Sequence, residues 1–140
     1  MTHTAPSDST TIAAILGTCR TIAVVGLSPK PHRASFDVSR YMQQQGYRII
    51  PINPNASEIL GEKAYASLTA AAAEESIDLV NVFRNSEDVP PVVSEAITIG
   101  AKAVWLQLGI AHAAAAQEAR DAGLLVVQNK CLMVEHAHNG

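Results

Sequence analysis

Short apolar runs recur along the chain and alternate with amphipathic segments. The first run, Thr21–Val25, is β-branched and ends at Gly26, which is typical of a strand buried on both faces of a parallel sheet. Four later runs have the same character, at residues 47–52, 78–83, 103–107 and 124–127. The segments between them carry apolar residues at helical spacing, and several end at a glycine. The pattern therefore predicts strands that alternate with helices.

This alternation predicts the fold class. Strands joined by helical connections run parallel, and right-handed crossovers place the helices on both faces of the sheet. We predict a single Rossmann-like three-layer α/β domain whose parallel sheet has the five strands in the order 3-2-1-4-5. In that order the ligand crevice opens beside the first and fourth strands, so functional residues are expected in loops after strands.

Length and charge restrict the number of domains and the classes of partner that we expect. The chain of 140 residues suits one domain, predicted at residues 8–140 after a flexible tail at residues 1–7. A net charge of −3 without a cluster of cations argues against a nucleic-acid partner. No basic stretch precedes a long apolar run, so we expect no membrane partner and a cytoplasmic location. Cys19 and Cys131 are then expected to be reduced.

The loop after the first strand has the features of a phosphate site. It begins at Gly26 and carries Ser28, Lys30, Arg33 and Ser35 up to the start of the next helix. A helix start offers unpaired N–H groups and the positive end of the helix dipole, and the cations add to both. The alternative is that Ser35 caps the helix while the cations are solvated.

A dinucleotide site is less well supported. After Gly26, the positions at which the NAD fingerprint has glycine hold Ser28 and Pro31. The second strand is followed by Asn53 rather than by the acidic residue that binds a ribose. An NAD(P)-binding domain of the redox-sensing type therefore remains an alternative without positive support.

The later loops contribute further candidates. Asn53 offers a donor and an acceptor to a ligand, but Asn-Pro is equally a turn opener. The other candidates that follow strands are Pro54, Phe83, Arg84, Gln107 and Gly109.

Cys131 follows the fifth strand and has two interpretations. Beside Lys130 its thiolate is a candidate nucleophile, but a packed structural cysteine is the better-supported interpretation. Together with His136 and His138 it lacks a recognised metal-binding spacing, so no metal is assigned.

The combined motifs resemble a known family. They are the segment 24–28 with Pro31, Arg33 and Ser35, the segment 46–54, and Cys131 with Glu135 and His136. They resemble those of stand-alone CoA-binding domain proteins, whose fold is similar to the N-terminal domain of the succinyl-CoA synthetase α subunit. The sequence departs from the family at residues 128–130, where an Asp-Arg pair is expected.

The resemblance implies a site for coenzyme A or an acyl-CoA. It implies that Ser28, Lys30, Arg33 and Ser35 contact phosphates, that Asn53 and Pro54 contact the nucleoside, and that Phe83 and Arg84 line the crevice. We add Gly26, Gln107, Gly109 and Cys131 to the candidate cofactor site.

The chain has no room for ligase domains, so the resemblance favours a binding module without catalysis. A small acyl-transfer enzyme using Cys131 is the alternative. Alanine-rich segments at residues 70–73 and 113–116 suit close helix packing within one chain or in a homodimer. A further protein partner, to which the cofactor is presented, is compatible with a binding module.

Overall fold

Five strands lie side by side in one parallel sheet, each within a predicted apolar run. The computed structural model describes residues 8–139, and the predicted tail at residues 1–7 lies outside them. The strands are β1 (Thr21–Val25), β2 (Arg48–Ile52), β5 (Leu79–Val82), β6 (Ala103–Leu106) and β7 (Leu125–Val127). Two short strands, β3 (Glu58–Ile59) and β4 (Glu62–Lys63), form a separate antiparallel hairpin that the apolar pattern does not predict.

Helices cover both faces of the sheet, which confirms the predicted fold class. On one face lie α1 (Asp8–Thr18), α2 (Ala34–Gln44) and α6 (Leu132–Asn139). On the other face lie α3 (Leu68–Ala72), α4 (Val89–Thr98) and α5 (Ala113–Asp121). Each face has its own apolar cluster because successive side chains of a strand point to opposite faces. Among residues 8–139, no helix combines the length and the apolar character needed to span a bilayer.

The predicted strand order is wrong. The sheet runs β2-β1-β5-β6-β7, so the third predicted strand, β5, pairs with β1 instead of lying outside β2. The outer edge of β2 is already occupied by Tyr65, whose N–H donates to the Pro51 carbonyl and whose carbonyl accepts from the Asn53 N–H, each at 2.9 Å. The strand order therefore reverses between β1 and β5, and the crevice lies beside the first and third strands.

Asp78 fixes the start of β5 beside β1. Its carboxylate accepts hydrogen bonds from the backbone N–H groups of Arg20 and Thr21 at 2.9 and 3.1 Å, and the Lys102 ammonium lies 3.4 Å away. Partial burial raises the pKa of Asp78, but the two backbone hydrogen bonds and Lys102 outweigh this effect and hold the pKa below its ordinary value. The ionised carboxylate therefore stabilises the observed strand pairing.

Replacing Asp78 with alanine is expected to lower the free energy of unfolding by about 1–2 kcal/mol near pH 7, because two backbone N–H donors, one of them part-buried, lose a charged acceptor. Since folding lowers the pKa of Asp78, its contribution is complete above the ordinary pKa and is lost as the pH falls through the folded-state value. Urea unfolding of wild type and Asp78→Ala at neutral and acidic pH measures both effects. The same substitution at the exposed Glu118 of α5 is the control. If wild type and Asp78→Ala differ as much in unfolding free energy at acidic pH as at neutral pH, the stabilisation does not come from the ionised carboxylate.

Candidate functional site

Gly26 brings the first loop into contact with the end of β5. Its φ is +89°, and a methyl carbon placed on it would lie 2.5 Å from the carbonyl oxygen of Phe83. Backbone hydrogen bonds hold this arrangement, from the Gly26 N–H to the Ile52 carbonyl at 3.1 Å and from the Phe83 N–H to the Val25 carbonyl at 2.9 Å. Only glycine suits both the backbone angle and the close approach.

Two serines hold the loop against the first turn of α2. The Ser28 N–H donates to Ser35 Oγ at 2.9 Å, and the Lys30 N–H donates to Ser28 Oγ at 3.1 Å. Ser35 is buried and does not cap the helix, contrary to the alternative interpretation of the sequence. The N-cap residue is Arg33, whose side chain makes no capping hydrogen bond in the described structure. The first N–H groups of α2 therefore lack a side-chain cap from this residue.

An open cleft of about 360 Å³ lies over this loop. It is lined by Gly26, Ser28, Lys30, Arg33, Ala34, Ser35 and Phe83. Lys30 and Arg33 are exposed, and within residues 8–139 neither is paired with a carboxylate. Two unpaired cations next to the positive end of a helix dipole make this cleft suited to an anionic group. We call it the phosphate cleft after the group that the sequence predicts there.

Asn53 joins the loops that follow β1 and β2. Its Nδ2 donates to the Leu27 carbonyl at 3.0 Å, and its Oδ1 accepts from the Asn55 N–H at 2.8 Å. Both ends of the carboxamide are therefore used within the protein, as in a turn opener. Neither Asn53 nor the exposed Pro54 lines the phosphate cleft.

A second cleft of about 340 Å³ adjoins the first. It is lined by Phe83, Arg84, Asn85, Ser86, Gly109 and Ile110. Phe83 lines both clefts, so the loops after β5 and β6 extend the phosphate cleft along the carboxyl edge of the sheet. Gly109, at a φ of +86°, donates its N–H to Asn129 Oδ1 at 2.7 Å, which ties this cleft to the loop after β7.

Like Asn53 and Pro54, two further candidate residues line neither cleft. Gln107 is buried and accepts a hydrogen bond from the Leu132 N–H at 3.4 Å. Cys131 is half-buried and packs against the apolar cluster under α1, α2 and α6. In the part of the chain that the structure describes, no three metal-binding side chains are grouped.

The sequence predictions did not single out Asn81. It lies in β5 at 1% exposure, and neither polar atom of its side chain has a partner within residues 8–139. An asparagine inside the apolar run Leu79–Val82 is the sequence signal that marks this position.

A parallel α/β sheet whose first loop meets a helix N-terminus at the strand-order reversal defines the class of Rossmann-like α/β domains. Within that class the chain belongs to the CoA binding domain family, whose model matches residues 20–137. The resemblance inferred from the motifs is confirmed.

Three relatives show how far the similarity extends. The protein YneT of Bacillus subtilis (strain 168) is 44% identical over 126 residues, which cover 90% of this chain and 92% of YneT. A solved structure of a hypothetical protein from Pyrococcus horikoshii OT3 is 36% identical, covers 99% of this chain and 98% of that one, and has a TM-score of 0.88. The ADP-forming acetate–CoA ligase II of Archaeoglobus fulgidus is 31% identical over 85 residues, which are 59% of this chain and only 12% of the ligase.

Proposed function

We propose that the protein binds coenzyme A or an acyl-CoA as a module without catalysis of its own. The observation that carries the proposal is the phosphate cleft, where Lys30 and Arg33 flank the start of α2 without carboxylate partners in the described structure. A diphosphate matches this charge and these donors. The CoA binding domain family supports the identity of the ligand.

The proposed site extends from the phosphate cleft into the second cleft. Ser28 and Ser35 shape the loop, while Lys30 and Arg33 supply the charges that meet the phosphates. Asn53 acts by holding the nucleoside side of the loop through Leu27. Phe83, Arg84 and Gly109 then line the path of the pantetheine arm.

The position of Cys131 favours binding over thiol catalysis. A nucleophile must reach the reacting atom of the substrate, and Cys131 lines neither cleft. Its half-buried packing against the apolar cluster suits a structural cysteine. We therefore retain a binding module as the proposed function.

Titration calorimetry with CoA tests the proposal. CoA is expected to bind, NAD and ATP to bind more weakly, and Arg33→Ala to lose at least about tenfold in affinity, because a charge-assisted hydrogen bond to a phosphate is removed. Arg40→Ala is the matched control, since Arg40 also lies on α2 but pairs with Asp37 at 2.9 Å. Folded protein, free of copurified ligand, that fails to bind CoA would refute the proposed function. If Arg33→Ala and Arg40→Ala lose the same CoA affinity, Arg33 does not bind a phosphate of the ligand.

A further inference from the structure

The side chain of Asn81 is buried without a partner in the centre of the sheet. Its Cα neighbours across the sheet are Val24 on β1 and Trp105 on β6, and neither offers it a hydrogen bond. Buried polar groups are nearly always paired with protein or with a bound molecule. The Asn81 carboxamide, which pairs with no side chain or backbone group of the described residues, is therefore free to pair with a polar group that enters from outside.

Asn81 lies two residues before Phe83, which lines both clefts. Phe83 directly follows β5 and, two residues after Asn81 in extended backbone, lies on the same face, about 6–7 Å further along the chain. On the adjacent strand Gly26 has no side chain, and a methyl carbon placed there would be 3.5 Å from Phe83 Cβ. The half-buried Phe83 is thus the next side chain on this face between Asn81 and the clefts.

We propose that Asn81 is a specificity-determining residue, whose carboxamide pairs with an amide of the ligand once the Phe83 ring has turned aside. An asparagine presents a donor and an acceptor side by side, which is the complement of an amide group. The inference rests on the proposed function, because CoA carries amides in its pantetheine arm, beyond the diphosphate. Asn81 then selects ligands that have this uncharged arm, while Lys30 and Arg33 select the phosphates.

Two ligands and two variants test this role. The ligands are CoA and 3′-phospho-ADP, which is CoA without its pantetheine arm. Asn81→Leu keeps the size of the side chain and removes its polar atoms. It is expected to lower the affinity for CoA about tenfold, because roughly two uncharged hydrogen bonds are lost. The affinity for 3′-phospho-ADP is expected to stay unchanged. Ser39→Ala is the matched control, since Ser39 Oγ on α2 is also buried and unpartnered within the described residues. It is expected to change neither affinity.

A readout in the wild-type protein complements the variants. In nitrogen-labelled protein, the side-chain amide resonances of Asn81 are expected to shift with CoA and to stay in place with 3′-phospho-ADP. Asn81→Ala, checked for folding by circular dichroism, serves if the leucine variant does not fold. Unchanged CoA affinity, equal losses for the two ligands, or a resonance that ignores CoA would each overturn the role of Asn81. Wild-type protein that does not bind CoA would overturn the proposed function, and this inference with it.

Discussion

Replacing Gly26 with alanine is expected to lower the free energy of unfolding by about 3 kcal/mol or more and to abolish CoA binding. Part of the cost is the backbone angle, since a φ of +89° costs an alanine about 1–2 kcal/mol. The rest is steric, because the new methyl carbon would lie 2.5 Å from the carbonyl oxygen of Phe83, which belongs to the sheet backbone and cannot turn away. Relieving the clash moves the first loop off β5, and with it the residues of the phosphate cleft.

The two causes can be separated with a second glycine. Gly46 also has a positive φ, +96°, but a methyl carbon placed on it meets no atom within 4 Å. Gly46→Ala is therefore expected to show only the cost of the backbone angle and to keep CoA affinity. Urea unfolding and calorimetry of both variants measure the difference. If Gly26→Ala and Gly46→Ala lose the same stability and both bind CoA, the close approach at Phe83 has no role.

Replacing Trp105 with alanine is expected to lower the free energy of unfolding by about 3–5 kcal/mol, the usual range for removing a fully buried aromatic side chain. Trp105 is completely buried in β6, and its Nε1–H donates to the carbonyl of Lys130 at 2.8 Å. That hydrogen bond joins the sheet to the segment leading into α6, so the variant also loosens this helix. A loss of this size is a large fraction of the ~5–15 kcal/mol that stabilises a typical domain.

Trp105→Phe separates packing from the hydrogen bond. Phenylalanine keeps much of the apolar area but leaves the Lys130 carbonyl without its donor, so we expect a smaller loss of about 1–3 kcal/mol. Because Trp105 is the only tryptophan of the chain, unfolding is followed by circular dichroism in urea rather than by fluorescence. An alanine variant no less stable than the phenylalanine variant would contradict this account of the core.

The candidate site was partly predictable. Ser28, Lys30 and Arg33 meet in one cleft because they belong to a single short loop, and neighbours in sequence stay neighbours in space. Gln107 and Cys131 fall outside both clefts because the direction of a side chain at a strand end depends on strand register and on the packing of α6. The carboxamide of Asn53 is used within the protein because Leu27, 26 residues away in sequence, offers its carbonyl at 3.0 Å.

The sequence by itself determined the class of fold and the loop that forms the phosphate cleft. Apolar periodicity and helix-ending glycines are local properties, and they located all five strands of the sheet. Only the tertiary structure decided the strand order and which residues from different loops meet at the clefts. Tyr65 covers the edge of β2 and Asp78 anchors β5 beside β1. These contacts between distant segments bring Phe83 next to Gly26 and Asn81 next to Val24. Such contacts depend on how whole elements pack, so no local pattern in the sequence could reveal them.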